Sequence, residues 1–184
     1  QFKTNANETT GEGAIVLDQD ISGSTRGAVD EFSCALAFAM YSVARQEKRP
    51  FFYIRFNVKC KTSIEVKHEL DILECMMDDI NKYDGTDFNP PLIETTRIIQ
   101  SNKTFKTADL IFVSDGCCEV DPEVLKEFNG MKKKLDFKVV SLIINDPHKG
   151  KSVEGFTDNL FNMSAKGIKN LDNSQDFLNK CFSM

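Results

Sequence analysis

No run among the 184 residues is long and apolar enough to span a bilayer as a helix, and no signal-peptide pattern opens the chain. Positive charge is also scarce. The formal net charge is -5 and the pI is near 5.1. The one basic block, Lys132-Lys133-Lys134, has no interleaved aromatics and reads as a solvated helix face. A nucleic-acid partner, which requires concentrated cationic charge, is therefore not expected. The only histidines, His68 and His148, read as surface residues, and neither pairs with a nucleophile signal. The glycines form neither a Walker loop nor a dinucleotide fingerprint, so nucleotide binding is not expected of this chain. Six cysteines show no paired framework and no CxxC knuckle, which points to reduced thiols and a cytoplasmic setting. Cys34, Cys75 and Cys181 lie among apolar residues and read as packing, Cys60 sits near a strand end, and Cys117-Cys118 follow an Asp-Gly turn.

What is present suits one folded core. Hydrophobic residues make up 41% of the chain and charged residues 28%, too apolar a mixture for disorder. Residues 1–12 are polar and rich in Gly, Thr and Asn, and are expected to be a tail or linker, with one domain over 13–184. The start at Gln1 rather than Met implies a fragment or a processed chain.

From Gly13 onward, short apolar runs alternate with segments of helical period. The runs Ala14–Gln19, Phe51–Val58, Leu110–Ser114, Val139–Ile144 and Leu160–Met163 read as strands buried on both faces, and Ser63–Lys67 alternates as an edge strand would. Between them, apolar stripes recur at helical spacing: Val29, Phe32, Leu36, Met40 and Val43, then Leu70, Leu73, Met77 and Ile80, then Leu125, Phe128, Met131 and Leu135. Each stripe is expected to face the sheet. A shorter helix from Pro90-Pro91 is expected to carry Leu92, Ile93, Thr96 and Ile99 inward. Asp121-Pro122 has the form of a helix cap and first position, and Asp176–Phe182 reads as a final helix. The expected fold class is α/β, with a doubly wound, mainly parallel sheet, helices on both faces and one antiparallel edge strand.

In such sheets the functional loops lie at the carboxyl ends of the strands. Three loops there carry small oxygen-bearing side chains: Asp20-Ile21-Ser22-Gly23-Ser24, Asp84-Gly85-Thr86-Asp87 and Ser114-Asp115-Gly116. A hard divalent cation takes oxygen ligands, keeps several waters and needs few carboxylates. Two carboxylates and three hydroxyls, from Asp20, Ser22, Ser24, Thr86 and Asp115, fit that demand, with Gly23, Gly85 and Gly116 easing the turns.

The order and spacing of these pieces resemble the metal-ion-dependent adhesion site of von Willebrand factor A (VWA) domains: DxSxS, then Thr in a Gly-Thr-Asp loop, then Ser-Asp-Gly. The resemblance runs from Gly13 to about Phe182. It implies that Ser22, Ser24 and Thr86 coordinate Mg2+ (or Mn2+ or Ca2+) through their hydroxyls, while Asp20 and Asp115 act largely through bound water. Neutral hydroxyl ligands leave the cation electrophilic, so an acidic side chain from a protein partner can complete its shell. Asp84 departs from the pattern, which commonly has a glycine there, and is expected to point to solvent. The run Val43–Arg49 together with Ala108–Gly116 resembles the bacterial ViaA/CoxE-like branch, whose members work with MoxR-type AAA+ ATPases; the implied role is an adaptor, not an enzyme.

Two other readings arise. Asp18-Gln19-Asp20-Ile21-Ser22 is similar to the nucleophile motif of haloacid dehalogenase-type phosphatases, with Asp18 attacking phosphorus, Asp20 as acid and base, and Ser114, Lys132–Lys134 and Asp146 as the later motifs. That scheme leaves Ser24 and Thr86 unexplained, and Asp18 is instead expected to point away from the site that Asp20 faces. The other alternative is an extracellular adhesion VWA domain, against which stand the cysteine placement and the missing secretion signal.

Overall fold

In the computed structural model, residues 13–77, 84–101, 108–116, 118–144 and 151–164 are described. Six strands form one sheet: β1 (Ile15–Asp20), β2 (Phe51–Phe56), β3 (Cys60–Val66), β4 (Asp109–Ser114), β5 (Lys138–Ile144) and β6 (Asn159–Met163). Their order is β3-β2-β1-β4-β5-β6. All neighbouring pairs are parallel except β2 and β3, which are antiparallel, so the expected fold class is the one observed. Helices α1 (Ala28–Gln46), α2 (Glu69–Met77), α3 (Asn89–Ser101), α4 (Pro122–Leu135) and a short α5 (Lys151–Glu154) complete the described elements. The α5 turn was not expected from periodicity.

The alternation of strand side chains divides the core into two layers. Ile15, Leu17, Ile111, Val113 and Leu142 pack with Val29, Leu36 and Met40 of α1 and Ile72 of α2. Val16, Ile54, Leu110, Phe112 and Ile143 pack on the other face with Leu92 and Ile99 of α3 and Phe128 of α4. Because both faces are covered, every residue of β1 and β4 is buried. Phe112 is the hub of the second layer, with ring centroids 5.4 Å from Phe56, 5.0 Å from Phe88 and 5.2 Å from Phe156. The cap on α4 forms as its sequence implied: the Asp121 side chain accepts a hydrogen bond from Glu123 N at 2.8 Å, with Pro122 in the first turn.

Three expectations are corrected. The α2 stripe does not face the sheet: Leu70, Leu73 and Met77 are 65%, 42% and 85% exposed, and Ile72 and Cys75 turn inward instead. Polar anchors set this rotation. Asp71 accepts hydrogen bonds from Lys67 N and His68 N at the start of the helix, and the wholly buried Arg55 donates to the Cys75 carbonyl near its end. On α3, Leu92 and Ile99 point inward, but Ile93 is 54% exposed and Thr95 and Ile98 complete the buried face. Asp18 does not point away from the face used by Asp20. Residues two apart on a strand share a face, and Asp18 lies beneath α3, where the Thr95 hydroxyl donates to both of its oxygens at 3.1 Å.

His68 is exposed as expected, Cys75 is buried and Cys34 half-buried, and Cys60 opens β3. The tail 1–12, Ile80, Cys117, Asp146, His148, Cys181 and the final helix Asp176–Phe182 lie outside the described residues.

Phe112→Ala removes the ring on which three others converge and should lower the unfolding free energy by about 3–5 kcal/mol. Chemical denaturation monitored by circular dichroism measures it.

Candidate metal centre

The sheet order reverses between β1 and β4, and the loops leaving those strands open beside each other. Gln19 of β1 is in register with Val113 of β4, which sets Asp20 and Ser114 level at the carboxyl edge. There the Ser114 hydroxyl donates to Asp20 Oδ2 at 2.6 Å and accepts from Gly116 N at 3.0 Å. One hydroxyl thus fixes both the first loop and the third. Gly116 has φ of 81°, a conformation that a side chain disfavours, and it turns the chain sharply after Asp115.

The first loop folds back on its own carboxylate. Asp20 Oδ1 accepts from Ser22 N at 2.8 Å, and the Thr25 hydroxyl donates to the Ser22 carbonyl at 2.9 Å, closing a short 3-10 turn over Gly23–Thr25. This brings Ser22 Oγ and Ser24 Oγ to 3.2 Å. Ser22 is 1% exposed, whereas Ser24 is open to solvent, so the pair spans the boundary of the protein.

The middle loop is joined through backbone. Gly23 N donates to the Asp84 carbonyl at 2.8 Å, and Asp87 N to the Asn57 carbonyl at 2.9 Å. Thr86, between these anchors, is half-buried. Asp84 itself is exposed, as expected, and its carboxylate accepts from Gly85 N at 2.9 Å. Beyond Thr86 a relay runs across the rim: Asp87 Oδ1 accepts from Asn89 N and Nδ2 at 2.9 and 2.8 Å, and Asn89 Oδ1 accepts from Asp121 N at 2.9 Å. The structure therefore ties Asp20, Ser22, Ser24 and the Ser114-Asp115-Gly116 turn directly together, and brings in the Thr86 loop through Gly23 and Asp84. Ser114 and Asp87 belong to the motif pieces without being named as ligands, and Asn89 lies outside them; the spacing Asp87-x-Asn89, which favours a side chain bonding its own backbone two residues on, is the signal for it.

Burial pushes the Asp20 carboxyl up from 3.8 to about 6, against the hydrogen bonds from Ser114 and Ser22, and the nearby Asp115 charge raises it further. Asp115 is 3% exposed, and its Oδ1 is buried without a hydrogen-bond partner. A buried carboxylate oxygen left unsatisfied costs roughly 1–3 kcal/mol or more, and here it stands near a second buried carboxylate that repels it. Those two features fit a cation. The donors are all oxygen, with only two carboxylates, which suits Mg2+, Mn2+ or Ca2+ better than a thiolate- or imidazole-seeking ion. Among the described residues, no group of three or more His, Cys, Asp or Glu is placed to hold a metal.

The phosphatase reading loses its nucleophile here. Asp18 is fully buried under α3, and burial holds its carboxyl well above the ordinary carboxylate range despite the Thr95 hydrogen bond. Lys132 is likewise engaged, donating to the Phe156 carbonyl and to Asp158.

No protein-family profile matches the chain. Among solved structures, the SpRpn10 VWA domain superposes with a TM-score of 0.65 over 91% of this chain and 94% of that one, at 10% identity. A von Willebrand factor type A structure from Catenulispora acidiphila gives a TM-score of 0.61 over 95% of this chain and 43% of that one, at 14% identity. The chain has the VWA fold. In sequence it is similar to the uncharacterized protein MJ0811 of Methanocaldococcus jannaschii, 29% identical over 135 residues, which is 72% of this chain and 31% of that protein. This VWA-fold chain spans about a third of the length of the curated relatives it matches.

The Asp20 shift has a testable sign. Its folded value, about 6, lies above the ordinary 3.8, so between those values the folded state binds more protons than the unfolded one. Without divalent metal, this group's contribution to stability is present at low pH and is lost as pH rises from about 4 to about 6, by on the order of 1–3 kcal/mol. Denaturant titrations in EDTA should show that the wild type loses stability relative to Asp20→Asn across this window, and a parallel pH dependence of the two proteins would contradict it.

Proposed function

We propose that this chain is a protein-docking module controlled by a divalent cation. Asp20, Ser22, Ser24, Thr86 and Asp115 hold one Mg2+, with Mn2+ or Ca2+ as substitutes, and an acidic side chain of a partner protein completes the shell. The observation that carries the reading is the buried, unpartnered Asp115 Oδ1 beside the raised carboxyl of Asp20. When bound, the cation supplies positive charge to both carboxylates and an electrophilic position facing solvent.

The chain's own residues do the rest. Ser114 and Ser22 N hold Asp20 in place. The deep Ser22 and open Ser24 hydroxyls set the depth of the site. Thr86, held between the backbone bonds at Asp84 and Asp87, brings the middle loop to the proposed ion. The role is binding without catalysis.

We read the partner as a MoxR-type AAA+ ATPase and the setting as cytoplasmic. Support for the partner is the resemblance of Val43–Arg49 and Ala108–Gly116 to the ViaA/CoxE-like branch. Support for the setting is the cysteine spacing of the sequence, which shows no paired framework and no CxxC knuckle.

Mg2+ should raise the melting temperature of the wild type, and Asp20→Ala or Asp115→Ala should weaken Mg2+ binding at least about tenfold in calorimetric titration. Immobilised wild type should retain a purified MoxR-type ATPase in Mg2+ but not in EDTA, and Ser22→Ala should fail to retain it. Retention that is indifferent to EDTA would end the metal reading. Separately, all six cysteines should titrate as thiols in the denatured, unreduced protein, whereas a deficit would favour an oxidising compartment.

A further inference from the structure

Among the described residues, the α2 stripe is the helical pattern whose apolar side chains the fold leaves outside. Leu70, Leu73 and Met77 follow one another along a single face and are 65%, 42% and 85% exposed. Singly exposed apolar residues are ordinary, but three in a row at helical spacing form a patch. The helix cannot simply roll to bury them. Its opposite face is committed through Ile72 and Cys75, its start is held by Asp71, and its last turn is held by the buried Arg55. The Tyr41 hydroxyl also fixes the approach to the helix by donating to the Lys67 carbonyl at 2.6 Å.

Charge decides what can cover this stripe. On one flank Glu69 pairs with Arg45 at 3.5 Å. On the other, Asp71 and Glu74, with Glu65 and the single cation Lys61 across from them on β3, line an open cleft of about 720 Å3 whose carboxylates outnumber its ammonium group. A second copy of the chain would bring the same carboxylates against themselves, and each chain carries a net charge of -5; an anionic membrane would be repelled likewise. An apolar stripe with an acidic flank is complementary to an amphipathic helix whose apolar face is bordered by Lys or Arg. Met77 adds a flexible, polarizable side chain of the kind that adapts to such partners.

We propose that the outward face of α2, through Leu70, Leu73 and Met77 with Asp71 and Glu74 on its flank, docks a basic amphipathic helix of a partner protein. This surface uses no residue of the candidate metal centre, so its occupancy is independent of the cation.

The probe is a labelled amphipathic peptide of about 18 residues, leucine on one face and lysine on the other, titrated in EDTA and read by fluorescence anisotropy. A peptide with glutamate in place of lysine is the control. Wild type should bind the lysine peptide and not the glutamate peptide. The double variant Leu73→Ser, Met77→Ser should bind at least about tenfold more weakly; Glu74→Lys should weaken binding severalfold; and Ile93→Ser, on the exposed side of α3, should bind as wild type does. All three variants alter exposed positions, and an unchanged melting temperature verifies that they fold. Equal binding of both peptides, wild-type affinity in the double variant, or an equal loss in Ile93→Ser would overturn the proposal. So would sedimentation equilibrium showing that the wild type self-associates through this face and that the double variant restores a monomer, because the occupant would then be a second copy.

Discussion

Two buried carboxylates, Asp20 and Asp115, lie near each other at the sheet edge, and the rest of the rim is arranged around that placement. Asp20 ends a strand whose every residue is buried, so its oxygens meet protein donors: Ser114 from the neighbouring strand and Ser22 from its own turn. Asp115 lacks such help for one of its oxygens. Burial, with a smaller push from the Asp115 charge, disfavours the ionised form of Asp20. That pair, with a solvent-open serine beside it, is the feature on which the proposed cation site rests.

Much of the fold was legible because strands covered on both faces carry near-continuous apolar runs, and four of the six strands here are buried throughout or nearly so, β3 and β6 at the sheet edges being only partly covered. The loops of the centre were equally plain, since Ser, Asp, Thr and Gly gather at the ends of those runs. The roles within the rim were less so. Ser114 looked like one element of a motif, and only the register between β1 and β4 shows that its hydroxyl joins two loops. Nothing local marks the Asp84 carbonyl as the anchor of the Thr86 loop, because a backbone acceptor has no sequence signature.

What failed to read correctly failed through distant partners. Asp18 in mid-strand suggests chemistry until Thr95, separated from it by 77 positions, is found above it. The rotation of α2 is a similar case. A nine-residue helix with apolar residues at Leu70, Ile72, Leu73, Cys75, Met76 and Met77 offers two competing inward faces. The choice between them falls to Arg55, a buried cation on β2 that seeks a carbonyl. Periodicity weighs only hydrophobic area, and the polar anchors at the two ends of α2 lie outside what it can register.

The stitching of the middle loop by main chain has an evolutionary corollary. Because Gly23 N meets the Asp84 carbonyl, the bond joining the first and middle loops does not depend on the side chain at position 84, whose carboxylate bonds within its own loop, to Gly85 N. Sequences that share this scaffold can therefore differ in charge and bulk at that position and still keep the link between the two loops.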